Sequence, residues 1–168
     1  MQPSEALSAS AQVAVTLAGF AGVVVAFRSG SVHEWSPVDK FRLQILLMNS
    51  ALPFMLSIFG LLLLATKLDE PTTWRWCSLV AFISAVLTGQ FISRGFRAVS
   101  REQLYASTSR RWVFLSSGVI GVVATLLQLY NVIRLQTFWP FLAVISTWLW
   151  LAMVQFVLLV IARHEPES

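Results

Sequence analysis

Residues 43–66 read LQILLMNSALPFMLSIFGLLLLAT, an unbroken run without Asp, Glu, Lys or Arg, bounded by Arg42 and Lys67. At 1.5 Å of rise per residue this run makes a helix about 36 Å long, enough to cross a hydrocarbon core of roughly 30 Å. Four further stretches share its character: 6–27, 77–93, 112–133 and 135–162. Turn and aromatic signals adjust their ends, so the predicted spans lie at approximately 6–27, 43–66, 74–93, 112–133 and 138–162. The expected fold is all-α: a transmembrane helical bundle of five spans, forming a single transmembrane domain over residues 1–168.

Composition agrees with that solvent. The chain is 57% hydrophobic and 12% charged, with a mean hydropathy of +0.72. A soluble domain carries about twice that charged fraction. Too little chain lies between the spans to bury a soluble catalytic core. The single cysteine, Cys77, excludes an internal disulfide and a cysteine-based metal cluster, and reads as a small apolar residue near a helix start. The first span reads as retained rather than cleaved: it has Glu5 in place of a basic leader, and the apolar run continues to Arg28.

Lys and Arg set the orientation. With five spans, Lys67, Arg75 and Arg134 fall on the side of the N-terminus. Arg28, Lys40, Arg42, Arg94, Arg97, Arg101, Arg110, Arg111 and Arg163 fall on the other. Nine against three places the N-terminus outside and the C-terminus in the cytoplasm by the positive-inside rule. A pI near 10.0 then reflects topology, and no nucleic-acid partner is expected.

Small residues recur at helical spacing within the spans. Ala11, Ala14, Ala18 and Gly22 share a face of the first, where Ala18 and Gly22 form a small-xxx-small pair. Packing against a neighbouring span of the same chain is the first expectation for that face, ahead of a dimer contact. Ala81, Ala85 and Gly89 predict a tightly packed third span, and Ser117, Gly121 and Thr125 form a matching stripe on the fourth. Trp74, Trp76 and Trp139 fall at outer ends and Trp112 at an inner end, as an aromatic belt requires. Trp148 and Trp150 lie mid-span on nearly opposite faces, so at least one indole needs a partner or faces lipid.

Helix boundaries are also legible. Ser36, Pro37 and Asp39 make a helix start, and the helix should run from near Pro37 to Thr66, long enough that it either tilts or extends into the cytoplasm with Asp39, Lys40 and Arg42 on the extension. Within it, Pro53 removes a backbone donor and frees the carbonyl of Asn49. Asn49, Ser50 and Pro53 therefore form the leading candidate polar feature, either a site or a packing kink satisfied by a neighbour. Short links predict hairpins between spans two and three and between spans four and five.

No span carries a deep charge, an acid–base pair, a histidine or metal-ligand spacing, so no catalytic residue, metal or cofactor is expected. What remains is amides. Gln12, Gln128 and Asn131 should lie toward the outer surface, with Asn49, Gln90 and Gln155 toward the inner one. These two layers are either interhelical hydrogen-bond glue or the vestibules of a hydrophobically gated path. Arg94, Arg97, Arg101, Arg110 and Arg111 are candidate contacts for anionic lipid at the cytoplasmic face.

The opening helix, with Ala11-Gln12-Val13-Ala14 followed by Leu17-Ala18-Gly19-Phe20-Ala21-Gly22, resembles that of small bacterial multi-pass integral membrane proteins of no known activity. The resemblance implies a bacterial inner-membrane setting and brings no activity with it. The glycine–arginine pattern of small fluoride channels and the charged helix motifs of glutathione-linked membrane enzymes are both absent. The leading expectation is a non-catalytic bundle acting by association, as a homo-oligomer or as an accessory subunit. A channel or transporter for a small solute or ion, with a path near Asn49–Pro53, is the alternative. A lipid-modifying enzyme, which would need a polar cavity, stands third.

Overall fold

The computed structural model describes residues 2–27, 37–98 and 108–161, with side chains omitted at a few positions near the helix ends. The described chain is five long helices and one π-helical turn: α1 (Pro3–Phe27), α2 (Pro37–Ala65), α3 (Glu70–Ala98), α4 (Thr108–Tyr130), the π segment Asn131–Leu135, and α5 (Phe138–Ile161). All five include a segment long and apolar enough to cross a membrane. α2 starts at Pro37, as expected for a proline at the first helical position, and continues through Pro53 as one element.

Two short links define one end of the bundle, here called the turn end. The α2–α3 link passes through Lys67 at φ 57°, and the link into α5 passes through Gln136 at φ 49°. Each is a left-handed residue closing a helix C-terminus, a position that glycine usually fills. α3 then starts on Asp69, whose Oδ2 accepts from the Thr72 N–H at 3.1 Å. That bond, and after it the Thr72 hydroxyl, hold the exposed Asp69 carboxyl below its ordinary value of 3.8. At the start of α1, Glu5 Oε2 accepts from the Gln2 N–H at 3.1 Å, the reaching-back half of a capping box.

Four helices meet at the turn end around Gly60. A Cβ there would stand 2.8 Å from Leu7 Cδ1 on α1, 3.2 Å from Phe141 Cε1 on α5 and 3.8 Å from Cys77 Sγ on α3. Only a residue without a side chain allows that convergence. Trp74 lies beside it, fully buried, with its ring centroid 4.7 Å from that of Phe138 and 6.3 Å from that of Phe141. This corrects the belt assignment. Trp76 and Trp139 are exposed at the perimeter, but Trp74 faces inward and is the largest buried side chain of the core.

A second, smaller core lies toward the opposite end, built from Ala21, Leu43, Leu46 and Ala152 on α1, α2 and α5. Among the described residues, α3 and α4 contribute nothing to it. α3 rejoins α2 only near its last turns, where Gly95 sits directly against the ring of Phe41. Phe41 and Arg42 are both buried. At Phe41, α2 is therefore packed against α3, because the ring of Phe41 uses the space that Gly95 leaves.

The small-residue faces behave differently from expectation. Ala11, Ala14 and Ala21 pack inside, but a Cβ on Gly19 or Gly22 would meet nothing within 4 Å. On α3, Ala81 is buried, whereas Gly89 also opens onto empty space, as do Gly118 and Gly121 on α4. On α3 the packing is tight at Ala81 and open at Gly89, while on α1 buried alanines reach Ala21 and the open positions are the glycines on another face.

Candidate functional site: a cleft between α3 and α4

Beyond the turn-end core, α3 and α4 border a cleft of about 480 Å³. Its walls are the small residues of the two stripes: Ala85 and Gly89 from α3, with Ser117, Gly118 and Gly121 from α4. Its floor is Val144, Trp148, Leu151 and Gln155 of α5, together with Ile45 and Asn49 of α2. Val86, Val122 and Leu126 border it and are exposed, so the cleft opens sideways onto the perimeter of the bundle. Stripes that would normally draw two helices together instead widen the space between them.

Polar groups in this cleft are few and uncharged. Asn49 and Gln155 are 4% and 3% exposed. Gln155 Oε1 is buried without a hydrogen-bond partner. Thr88 and Trp148 are also buried along the lining. Ser93 and Thr125 satisfy their hydroxyls on their own helices, donating to the carbonyls of Gln90 and Gly121 at 2.9 and 2.8 Å. Among the described residues, no Asp, Glu, Lys, Arg, His or Cys lines the cleft. A buried carbonyl oxygen without a donor costs about 1–3 kcal/mol, so Gln155 is left in want of a donor.

The expected amide layers separate into distinct roles. Gln128 and Asn131, both fully buried, join helices. Gln128 Nε2 donates to the Pro140 carbonyl at 2.6 Å, although its Oε1 has no partner. Asn131 Nδ2 donates to Ser78 Oγ at 2.6 Å and to the Thr137 carbonyl at 3.0 Å, and Asn131 Oδ1 accepts from the Thr137 N–H at 3.1 Å. The Asn131 carbonyl in turn accepts from the Gln136 N–H at 2.9 Å, the five-residue bond of a π turn. Sequence periodicity had no signal for that turn.

Asn49 and Gln155 both line the cleft, and the other amides do not. Gln90 is exposed on α3 outside the lining, and Gln12 is exposed on α1 beside Ala9, Val13 and Thr16. Ser50 is buried with its hydroxyl donated to the Leu46 carbonyl at 2.9 Å, and Pro53 is buried one turn further along α2. Of the candidate lipid-contact arginines, Arg94 is exposed. Arg101 and the side chains of Arg97, Arg110 and Arg111 lie outside the described residues. The residue that sequence reading left unplaced is Trp148: it takes the inward option of the mid-span pair, while Trp150 is exposed. Its four- and seven-residue spacings to Val144 and Gln155 were the available signal.

Comparison of the chain with protein-family models, with curated proteins and with solved structures gives no match.

Proposed function

We propose that this protein is a non-catalytic helix bundle of a bacterial cytoplasmic membrane that works by association, as a homo-oligomer or as an accessory subunit of a membrane complex. Its N-terminus faces outward and its C-terminus the cytoplasm, a reading supported by nine Lys and Arg residues on one side against three on the other. One observation carries the associative reading. Ala18, Gly22 and Ala26 recur every fourth residue along α1, and a Cβ on Gly22 would meet nothing in the protomer. Glycine costs a helix about 1 kcal/mol relative to alanine, a cost that close approach of a second helix would offset.

Energy transfer between donor- and acceptor-labelled copies in liposomes tests this reading. The expected result is association of the unmodified protein and its loss in Gly22→Leu. A protein that is monomeric at every density, and that co-purifies with no other membrane protein, overturns it.

A second reading, a path for a small solute, is favoured by the shared placement of Asn49 and Gln155 in one cleft. Flux through reconstituted protein that falls in Asn49→Leu would support it. Absence of flux for every ion and neutral solute tried would dismiss it.

A further inference from the structure

Gln12 is an exposed amide in the middle of a membrane span. A Cβ on Gly60 of α2 would stand 2.8 Å from Leu7 Cδ1 on α1, so these two residues lie level. Gly60 is six residues inside the end of the uncharged run 43–66, about 9 Å of helix rise. Gln12 is five residues further along α1, about 8 Å deeper, since Ala21 of the same helix belongs to the core toward the opposite end. It therefore sits roughly halfway through a hydrocarbon core of about 30 Å, deeper than the outer layer expected from sequence. The apolar segment Pro3–Val23 has nearly the same centre.

Nothing among the described residues pairs with this amide. The Gln12 side chain is exposed. Thr16 Oγ1 donates to the Gln12 backbone carbonyl at 2.8 Å, which leaves the carboxamide unused. Hydrocarbon offers neither donor nor acceptor, and from mid-membrane the side chain is too short to reach either interface. An amide so placed calls for a second helix.

The residues around Gln12 point to the kind of helix. Ser8, Gln12, Val15, Gly19, Gly22 and Ala26 follow an alternating four–three spacing, and all six are exposed. Ser10, Ala11, Ala14 and Ala21, which lie between them in sequence, are buried in the protomer. A repeat of 3.5 residues is the seam of two helices that supercoil around each other. A Cβ on Gly19 or Gly22 would meet nothing within 4 Å, so the seam has room for close approach. Copies inserted in one membrane share an orientation, so a closed pair has its two-fold axis along the membrane normal. Identical residues then meet at equal depth. A carboxamide both donates and accepts, so two Gln12 side chains satisfy each other.

Building on the associative reading of α1, we propose that two copies pair in parallel along this seam, with their Gln12 carboxamides hydrogen-bonded to each other inside the bilayer. As the one amide on the seam, Gln12 fixes the register of the pair.

Energy transfer between labelled copies in liposomes, joined with disulfide capture, tests the pairing. Gln12→Leu alters only an exposed side chain of the protomer and should weaken association about tenfold. Under mild oxidation Val15→Cys should be captured as a covalent dimer. Val13→Cys, exposed on the same helix but off the seam, should not be, and the native Cys77 is buried. If the unmodified protein associates and Gln12→Leu leaves that association unchanged, the pairing is wrong while the associative reading stands. Equal capture of Val13→Cys and Val15→Cys has the same consequence. If the protein is monomeric but co-purifies with another membrane protein that Gln12→Leu releases, the amide meets a foreign helix and the second copy is wrong. If no association of either kind occurs, both readings fall.

Discussion

Asn131 donates to Ser78 across a 2.6 Å hydrogen bond, fastening the π turn that follows α4 to α3. The same amide holds Thr137 at both its N–H and its carbonyl. One side chain thus closes the α4–α5 link and docks that hairpin onto the neighbouring helix. Interhelical hydrogen bonds in bilayers average about 0.6 kcal/mol each. Asn131→Ala, which loses three contacts, should therefore destabilise the protein by about 2 kcal/mol, and Ser78→Ala by about 0.6 kcal/mol. Unfolding of both variants in mixed micelles measures the ratio; equal losses would mean that the Thr137 contacts contribute nothing.

The two left-handed link residues should respond to glycine in the same way. A residue with a Cβ in that conformation costs about 1–2 kcal/mol, partly offset because glycine loses more entropy on folding. Lys67→Gly and Gln136→Gly, at φ 57° and 49°, should each stabilise the protein by about 0.5 kcal/mol. Thermal midpoints of the two variants and of their combination check this, and the gains should add because the links are separate.

Glycines on the two sides of the bundle should behave in opposite ways. Gly60→Ala forces a Cβ to within 2.8 Å of Leu7 Cδ1 and 3.2 Å of Phe141 Cε1. Leu7 can give at its tip, but the Phe141 ring is enclosed, so a loss of about 1–2 kcal/mol is expected. Gly22→Ala meets nothing and should gain up to about 1 kcal/mol of helix propensity in the protomer. Unfolding at low protein density, where association does not contribute, separates the two.

Gln155→Leu should leave the fold intact or slightly more stable, because it removes a buried acceptor that has no donor. A gain of about 1 kcal/mol is expected in unfolding measured in mixed micelles. A large destabilisation would show that Gln155 is structural.

Asp69 gives the fold an acid-sensitive cap. Its carboxyl lies below the ordinary 3.8 because the ionised form accepts from Thr72. The cap's contribution is therefore complete above that ordinary value and is lost as pH falls through the folded-state pKa. Thermal midpoints of the unmodified protein and Asp69→Asn, followed from neutral pH into acid, should differ at neutral pH and converge at the acid end. A constant difference would assign the effect to something other than the charge.

Much of the architecture is legible in the chain because hydrocarbon imposes a simple demand. A segment that cannot hydrogen-bond to solvent must be a helix, and its length must match the core. Residues 43–66 meet that demand on inspection, and Pro37 marks where the helix around them begins. The amides were also visible as candidates. Their division was not, because periodicity says which residues share a face and never what stands opposite. Trp74 illustrates the limit: its position near a helix start suits an aromatic belt, yet the rotation of α3 turns it into the core beside Phe141.

By itself, then, the sequence determined five spans and two tight links, because these follow from local hydropathy and chain length. Only the tertiary structure decided that Gly60 is where four helices meet while Gly22, Gly89 and Gly121 stand open. A glycine permits close approach without compelling it. Whether a neighbour arrives depends on how the whole bundle packs, and here large side chains such as Trp74 and Phe141 fill one half of the bundle. In the other half, α3 and α4 stay apart around Asn49 and Gln155.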